Sequence, residues 1–467
     1  MTEEAKRQKV GRLHQFAALV FAATAVLTTV GCKTFSDHTR QTRNALDVSD
    51  LDGALGATNR ALDLKRADNV PEKLRKNDAL LLLDRAMVLQ ARQQYDLSSR
   101  DFQIADKAIE ILDFSRSTSD EIVRYMFSDS AGPYKARPYE KLMLNTMNII
   151  NYLAPGNLEG ARVEARRFSV MRDYLLGAEK VNHDAAKQAG VPGSYLAGYA
   201  FEKSGEPDAA LRYYDEVLQA TDAPSLTDPI QRLTQLGGYR PPRLESAARG
   251  AGQGAPTSNE SAEMLLVISY GRVPALVAQR VPIGFALTIA AAFLSPVAIQ
   301  QARRLAGQGL VTWINYPELA PSPTEYPAPL VTIDGQAHTA HVIADVDAVA
   351  RRAWDESKGR VMAAAVTRML TRAALGAGTG VAVGKATGKS GLGVLASMIT
   401  QASMVAADKP DTRSWATLPA RIAIVRAELQ PGEHAIEVTV LGRRHRLDTT
   451  IGPSEWVLVD VSELSTR

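Results

Sequence analysis

The chain has 467 residues, of which 45% are hydrophobic and 22% charged, so it is long and apolar enough for two or three folded domains. Four basic and two acidic residues precede residue 32, and the remaining 50 basic and 49 acidic residues nearly balance. The chain has no basic stripe and is only 6% aromatic, which excludes a nucleic-acid footprint and argues against a carbohydrate-stacking surface.

The N-terminus has the three parts of a secretory signal. Basic residues come first, an uncharged apolar run extends from Leu13 to about Leu27, and small residues precede Cys32. The apolar run is too short to span a bilayer, so residues 1–31 are predicted to be a removable signal peptide. Gly31-Cys32 resembles a bacterial lipobox, although Thr29 stands where that motif usually has Leu. An ordinary secretory signal is the alternative.

The lipobox resemblance implies that Cys32 becomes an acylated first residue. Two or more acyl chains anchor a protein stably, so no transmembrane helix is needed. Lys33, where an Asp would signal inner-membrane retention, implies sorting to the outer membrane with the chain facing the periplasm. Residues 32–49 are predicted to form a polar tether. Because Cys32 is the single cysteine, the rest of the chain has no disulfide, thiolate nucleophile or cysteine-ligated metal.

Residues 50–236 have apolar residues near a period of 3.6, which predicts helices. Residues 198–218 resemble a tetratricopeptide repeat, with Gly198 and Ala210 at the helix crossing, Phe201 and Tyr214 as the larger packing residues, and Gly205 in the turn. Two weaker copies are present: Ala86, Leu89, Gln93, Ser98 and Phe102, then Ile149, Tyr152, Gly156, Ala161 and Ala165. Their spacing exceeds 34 residues, so extended helices are expected in this α-solenoid. An irregular bundle is the alternative.

Glycine and proline make residues 237–262 a predicted linker, and the period then changes. Residues 263–467 are predicted to be a mixed β-module with a helical insertion at about 346–410 that splits at the Gly-rich stretch 376–393. The whole chain is therefore predicted to be α+β. Strands are expected at 264–270, 310–316, 330–333, 337–343, 421–425, 434–441, 445–450 and 456–461, with a type I′ turn at Asp334-Gly335. Residues 430–438 resemble a hairpin of PEGA-type envelope domains.

Two apolar or glycine-rich features invite a membrane interpretation. Residues 281–299 are nearly all apolar, but Pro282, Gly284 and Pro296 interrupt them, so a buried or membrane-facing helix is preferred over a span. The Gly-x-x-x-Gly series 380, 384 and 388 allows close helix contact. Arginines and lysines around that series make burial in lipid expensive and favour a soluble hairpin or helix contact.

No motif in the sequence nominates a reaction, a cofactor or a metal. Gly388-Lys389-Ser390 ends like a P-loop, but Val383 stands where the motif needs its first glycine and no strand precedes it. His338 and His341 are three apart, so on one strand they point to opposite faces and do not converge on an ion. No catalytic residue is therefore assigned, and no cofactor or metal is expected.

Residues 161–167 place many charges on one predicted helix. Arg162 and Arg166 are four apart and repel each other unless acidic groups of another helix or of a partner meet them. Arg162, Glu164, Arg166 and Arg167 are therefore candidates for partner contact, and a solvated helix face is the alternative.

The chain resembles a family of proteobacterial lipoproteins that sequence motifs define rather than an activity. The resemblance covers most of the mature chain, and beside the lipobox its motifs are Tyr139–Leu142, Gly156–Arg167, Asp411–Trp415 and Leu418-Pro419. Members are often encoded beside outer-membrane lipoproteins that activate penicillin-binding proteins. The resemblance implies a role around peptidoglycan assembly and assigns no catalytic residue.

We therefore expect a non-enzymatic scaffold in the cell envelope, held by Cys32 and binding an envelope protein with its solenoid. The first alternative is a membrane-active or secretion component that uses residues 281–299 and the glycine series. The second alternative is an envelope enzyme with a dispersed site.

Overall fold

The computed structural model describes residues 34–114, 134–178, 182–249, 262–307, 313–387 and 409–466. These residues form 14 α-helices and ten β-strands, with a helical first half and sheets in the second, which confirms the predicted α+β class. The predicted signal peptide and Cys32 lie outside the described residues, as do Gly388, Lys389 and Ser390.

Eleven helices make up the described part of the first half. Pro138 and Pro207 are each the first residue of a helix, where the missing N–H costs nothing, and Asn157 and Asn182 each cap another helix with their side chains. The helices are α1 (Phe35–His38), α2 (Arg40–Asp47), α3 (Leu51–Ala61), α4 (Asp78–Ala91), α5 (Tyr95–Phe114), α6 (Pro138–Leu153), α7 (Leu158–Gly177), α8 (His183–Lys203), α9 (Pro207–Leu218), α10 (Thr227–Leu236) and α11 (Pro242–Arg249).

Three helix hairpins form the predicted repeats. They pair α4 with α5, α6 with α7, and α8 with α9. Each turn contains one left-handed residue at the predicted turn position: Gln93 at φ 59°, Gly156 at φ 78° and Gly205 at φ 72°. Helices α5, α7 and α8 have 20, 20 and 21 residues, which explains why the copies are spaced more widely than 34 residues. The tetratricopeptide-like prediction is confirmed.

The crossing of α8 and α9 is as close as the repeat motif predicts. A Cβ atom added to Gly198 would lie 2.4 Å from Cε1 of Tyr214, so only glycine fits at this position. Phe201 stacks on Tyr213 with ring centroids 5.4 Å apart, and Ala210 is fully buried. Small and large side chains therefore alternate across the crossing, as the sequence indicated.

We expect Gly198→Ala to destabilise the chain by about 1–3 kcal/mol, because the added methyl group overpacks the α8–α9 crossing. Gly177, at the end of α7, is the matched control, since a Cβ there meets nothing within 4 Å. Gly177→Ala should be neutral or slightly stabilising, because alanine favours helix more than glycine does. Urea unfolding of both variants checks the pair, and equal midpoints would contradict the close crossing.

The second half builds three sheets and three further helices. Its elements are β1 (Ala262–Tyr270), β2 (Leu276–Pro282), α12 (Ile283–Ala290), α13 (Pro296–Gly307), β3 (Trp313–Leu319), β4 (Leu330–Ile333), β5 (Gln336–Thr339), β6 (His341–Asp345), α14 (Val346–Thr387), β7 (Arg421–Leu429), β8 (Gly432–Val440), β9 (Arg443–Ile451) and β10 (Trp456–Glu463). The central sheet has the order β10-β1-β7-β6, the outer sheet β5-β4-β8-β9, and β2 pairs only with β3. Both four-stranded sheets combine strands from before and after α14, as predicted.

The central sheet is buried on both faces. All nine residues of β1 are buried, which is the pattern of a strand covered from two sides. Leu265 and Val267 belong to the same core as the solenoid helices, whereas Leu266 and Ile268 pack towards the outer sheet. The helices and the central sheet therefore share one hydrophobic core, and the chain changes from helices to strands within it, between Arg249 and Ala262.

The described residues of 276–319 form a smaller unit with a hydrophobic core of its own. Strands β2 and β3 form its base, α12 and α13 lie between them, and a third core joins these elements to α14. Residues 281–299 are the end of β2, helix α12, a short 3-10 turn and the start of α13. Among the described helices, none is both long and apolar enough to cross a membrane.

The prediction of a polar tether at residues 32–49 is wrong for its described part. Residues 35–47 form α1 and α2, with Phe35 and Leu46 buried in the main core. Thr34 caps α1: its backbone N–H and hydroxyl donate to Asp37 while the hydroxyl accepts the Asp37 N–H. Two apolar residues eleven positions apart were enough to dock a segment that is otherwise polar.

Three other boundaries differ from the sequence predictions. Part of the predicted linker at 237–262 is helix α11, whose Leu244 is fully buried, and residues 250–261 lie outside the described part. The strand predicted at 337–343 breaks after Thr339, because β5 edges the outer sheet and β6 joins the central one. Helix α14 continues past residue 376 to Thr387, so the glycines there do not split it. Asp334 and Gly335 have φ of 52° and 76°, which confirms the type I′ turn.

Candidate functional site

The charged residues of α7 are met by other helices of the same chain. Arg162 pairs with Glu206 at 2.7 Å, and Arg167 pairs with Asp106 of α5. Glu164 is buried and accepts a hydrogen bond of 2.6 Å from Asn145 of α6. Arg162, Glu164 and Arg167 thus bind residues of neighbouring helices, and contact with a partner stays a prediction. The sequence had left this outcome open, since it required acidic groups from another helix or from a partner.

One face of α7 remains exposed and carries apolar side chains. Val163, Arg166, Val170 and Tyr174 follow the helical spacing i, i+3, i+7 and i+11, and we call them the α7 stripe. Val170 is 71% and Tyr174 68% exposed. The guanidinium of Arg166 lies 5.5 Å from the ring centroid of Phe201 and is itself exposed. Apolar residues on the solvent side of a repeat helix indicate a binding surface. A search for the same spacing of apolar residues on the polar face of the predicted helix would have identified the α7 stripe from the sequence.

A buried ion cluster joins the solenoid to the central sheet. Arg426 of β7 pairs with Glu202 of α8 and with Glu263 of β1, whose Oε1 lies 2.9 Å from the guanidinium. Lys203 lies 2.9 Å from Glu263, and Tyr214 donates a 2.6 Å hydrogen bond to Glu202. Burial opposes the ionisation of Glu202, but the attraction of Arg426 and Lys203 prevails and lowers its pKa to about 2. Glu202 is thus fixed as a structural anion.

The segment 411–418, which we call the clasp, contacts both the helices of the first half and the strands of the second half. It belongs to the motif that carries the lipoprotein-family resemblance, and most of its residues are buried. Glu140 of α6 accepts hydrogen bonds from the backbone N–H of Trp415 at 3.1 Å, from the backbone N–H of Arg137 at 2.7 Å and from the hydroxyl of Tyr134. Two distant motifs, around Glu140 and around Trp415, are therefore brought together by a buried carboxylate.

Further contacts make the clasp the meeting point of both halves. The Ser36 N–H of α1 donates to Thr412 at 3.1 Å, and the Leu276 N–H of β2 donates to Ser414 at 3.1 Å. Thr417 donates a 2.8 Å hydrogen bond to Asp84 of α4. The clasp residues are buried and satisfied within the chain, so their role in this structure is to hold it together.

Asp460 has a buried carboxyl group on β10, and its surroundings supply few hydrogen bonds to offset the cost of burying its charge. Burial raises its pKa to about 7, opposed by a 3.5 Å hydrogen bond from Ser462. Its Oδ1 has no hydrogen-bond partner among the described residues. A raised pKa in the folded state contributes stability that is fully present below about pH 4 and is lost as the pH rises through 7.

We therefore expect Asp460→Asn to stabilise the chain at pH 8, by about 1–2 kcal/mol, because the variant has no carboxyl to deprotonate. The gain is smaller than the full pKa shift allows, since the amide is also a buried polar group. Near pH 4 the two proteins should unfold at similar denaturant concentrations. Urea unfolding at both pH values checks this, and an equal effect at pH 4 and pH 8 would contradict it.

The other sequence candidates do not form a site in the described residues. His338 lies on β5 and His341 on β6, which belong to different sheets. No group of three or more His, Cys, Asp or Glu side chains in the described ranges could hold a metal ion. In the glycine series, Gly380 and Gly384 lie on α14, and Gly388 is outside the described residues.

Comparison with known proteins finds no matching family model and no matching curated protein. Among solved structures, the chain is similar to the Rap conjugation gene regulator of the plasmid pLS20, solved in complex with the Phr* peptide. The identity is 14% and the TM-score 0.26, over 46% of this chain and 50% of that one. The matched region thus spans half of the regulator's length.

Proposed function

We propose that this chain is an outer-membrane lipoprotein that faces the periplasm and acts as a non-enzymatic scaffold for an envelope protein. The α7 stripe is the observation that carries the proposal. It displays two valines, a tyrosine and an arginine on a helix that the ion pairs of Arg162 and Arg167 join to its neighbours, and tyrosine and arginine are enriched among the residues that dominate protein interfaces. Acylation of Cys32 would hold this surface at the membrane.

The link to peptidoglycan assembly rests on the resemblance to lipoproteins encoded beside activators of penicillin-binding proteins. Peptidoglycan synthesis takes place between the two membranes, where a periplasm-facing scaffold anchored by Cys32 would stand. The partner we propose is a protein of that machinery, recognised by an apolar surface complementary to the α7 stripe.

A photocrosslinking amino acid at Val170 tests the proposal. Ultraviolet irradiation of intact cells should give a discrete crosslinked species that contains one envelope protein. Leu330 is the matched control, because it is 72% exposed and lies on β4 of the outer sheet instead of on a solenoid helix. Crosslinks that are identical from both positions, or absent from Val170, would overturn the proposed role of the stripe.

Charge reversal at Arg166 separates binding from stability. Arg166→Glu should weaken the Val170 crosslink severalfold with an unchanged melting temperature, because this side chain is exposed. A large drop in melting temperature with an unchanged crosslink would instead make Arg166 structural.

A further inference from the structure

The unit at residues 276–319 keeps large apolar side chains on its outside. Phe285 is 50%, Phe293 50%, Val297 72% and Trp313 43% exposed, although the same elements bury a core against α14. Four of the thirteen large apolar side chains that are exposed among the described residues lie in this unit, and exposed apolar patches mark protein or membrane contacts. We call these four residues the apolar tip.

The charge of this unit is mostly positive, and its one acidic residue, Glu318, pairs with Lys358 of α14. Residues 273–317 contain no Asp or Glu, whereas Arg280, Arg303 and Arg304 all lie within them. The Arg280 guanidinium stands 5.6 Å from the Trp313 ring, so a cation and an amphipathic ring face solvent together. Aromatic and aliphatic groups flanked by arginines are the composition of surfaces that lie in the headgroup region of anionic bilayers.

The start of the described chain lies beside the same unit. Helix α1 contacts β2, and the clasp hydrogen-bonds to both Ser36 of α1 and Leu276 of β2. Cys32 is two residues before Thr34 in the sequence, and two residues of fully extended chain span at most about 7 Å. A lipid anchor on Cys32 would therefore bring the base of the 276–319 unit close to the bilayer.

We propose that the apolar tip is a second membrane contact that rests in the headgroup region of an anionic leaflet. This inference rests on the proposed anchoring of Cys32, because the anchor brings the unit to the surface. The tip side chains enter the boundary between headgroups and acyl chains, and the arginines of the unit contact lipid phosphates. Contact at two points fixes the orientation of the solenoid relative to the membrane, which a single flexible anchor does not.

Vesicle cosedimentation of the full mature chain with Cys32→Ser tests the second contact without the acyl chains. The unacylated protein should sediment with vesicles of equal parts phosphatidylethanolamine and phosphatidylglycerol, and less with pure phosphatidylcholine. Phe285→Ser combined with Val297→Ser should weaken this binding at least about tenfold, because two apolar side chains leave the lipid boundary. Both side chains are exposed, so the unfolding midpoint should not change.

The matched control removes the same kind of surface elsewhere. Val163→Ser combined with Val170→Ser on the α7 stripe should leave vesicle binding unchanged. If the tip variant loses stability, Arg303→Glu with Arg304→Glu provides the second test and should abolish the preference for anionic vesicles. Absence of vesicle binding, or binding that the tip and arginine variants leave intact, overturns the second contact. A crosslink from Phe285 to a protein without vesicle binding also overturns it. None of these outcomes touches acylation of Cys32 or the Val170 crosslink, which test the proposed function separately.

Discussion

Arg426→Met is expected to destabilise the chain by about 3–5 kcal/mol at pH 7, because it leaves the carboxylates of Glu202 and Glu263 buried without their main cation. Arg426 is 5% exposed at its side chain and Glu202 8%, so water cannot replace the lost interaction. Methionine fills most of the volume of the arginine stem, which keeps a packing defect from dominating the result. Guanidinium unfolding of wild type and variant gives the difference.

The pH dependence identifies charge as the cause of that loss. In the wild type, the lowered pKa of Glu202 contributes stability above about pH 4.5 that is lost as the pH falls through 2. In Arg426→Met the Glu202 carboxylate loses the cation that lowers its pKa and becomes easier to protonate, so the difference between the two proteins should shrink as the pH falls to 4. Arg444→Gln is the control, since Arg444 forms an exposed pair and should change stability by less than about 1 kcal/mol. A loss that is equally large at pH 4 would point to packing instead.

Glu140→Ala should cost about 3 kcal/mol, because one carboxylate serves four donors around the clasp. The variant leaves the N–H groups of Trp415 and Arg137 and the hydroxyl of Tyr134 buried without an acceptor. It also removes the anion that pairs with the Arg137 guanidinium at 3.1 Å. Urea unfolding measures the cost, and limited proteolysis within 411–418 should become faster as the clasp loosens.

Two further variants separate the role of Glu140 from a general loss of carboxylate. Glu140→Gln keeps one acceptor oxygen and the shape, so it should recover part of the stability. Glu433→Ala removes an exposed carboxylate on β8 and should change stability by less than about 0.5 kcal/mol. If Glu140→Ala and Glu433→Ala behave alike, Glu140 does not hold the clasp.

The parts of the fold that the sequence predicted well depend on local patterns. The close crossing at Gly198 and Tyr214 and the turn at Gly205 lie within one repeat, so the motif contains all the residues involved. The same holds for the hairpin turn at Asp334-Gly335, where two adjacent residues set the geometry. Alternating strands in the second half were likewise visible from their period.

The central connections of the molecule were not predictable because their partners are far apart in sequence. Arg426 and Glu202 are separated by 224 positions, and Trp415 and Glu140 by 275. None of these residues taken alone indicates its partner, and only the fold brings them together. A single sequence contains no signal for such pairs, whereas an alignment would show them as positions that change together.

In the segment after Cys32, by contrast, the residues that form the helix are close together in sequence, but the polar composition of the segment outweighed them in the prediction. Its polar residues predicted a tether, but Thr34 and Asp37 are spaced as a helix cap and Phe35 begins the helix. The ion-pair partners of the α7 charges were not predicted for a related reason. Their partners Glu206 and Asp106 lie on other turns and helices, so a sequence view left them unpaired.

Metabolic labelling at Cys32 tests most directly whether the chain works as a membrane-held scaffold. Cells that express the full chain are fed an alkyne fatty acid, and the protein is captured, tagged and fractionated. We expect label on the wild type, recovery in the outer-membrane fraction, and a larger precursor when lipoprotein signal peptidase is inhibited. Cys32→Ser should carry no label and yield no Val170 crosslink at normal expression. An unlabelled wild-type protein, processed like an ordinary secreted one and released with the periplasmic contents, would contradict the anchored scaffold.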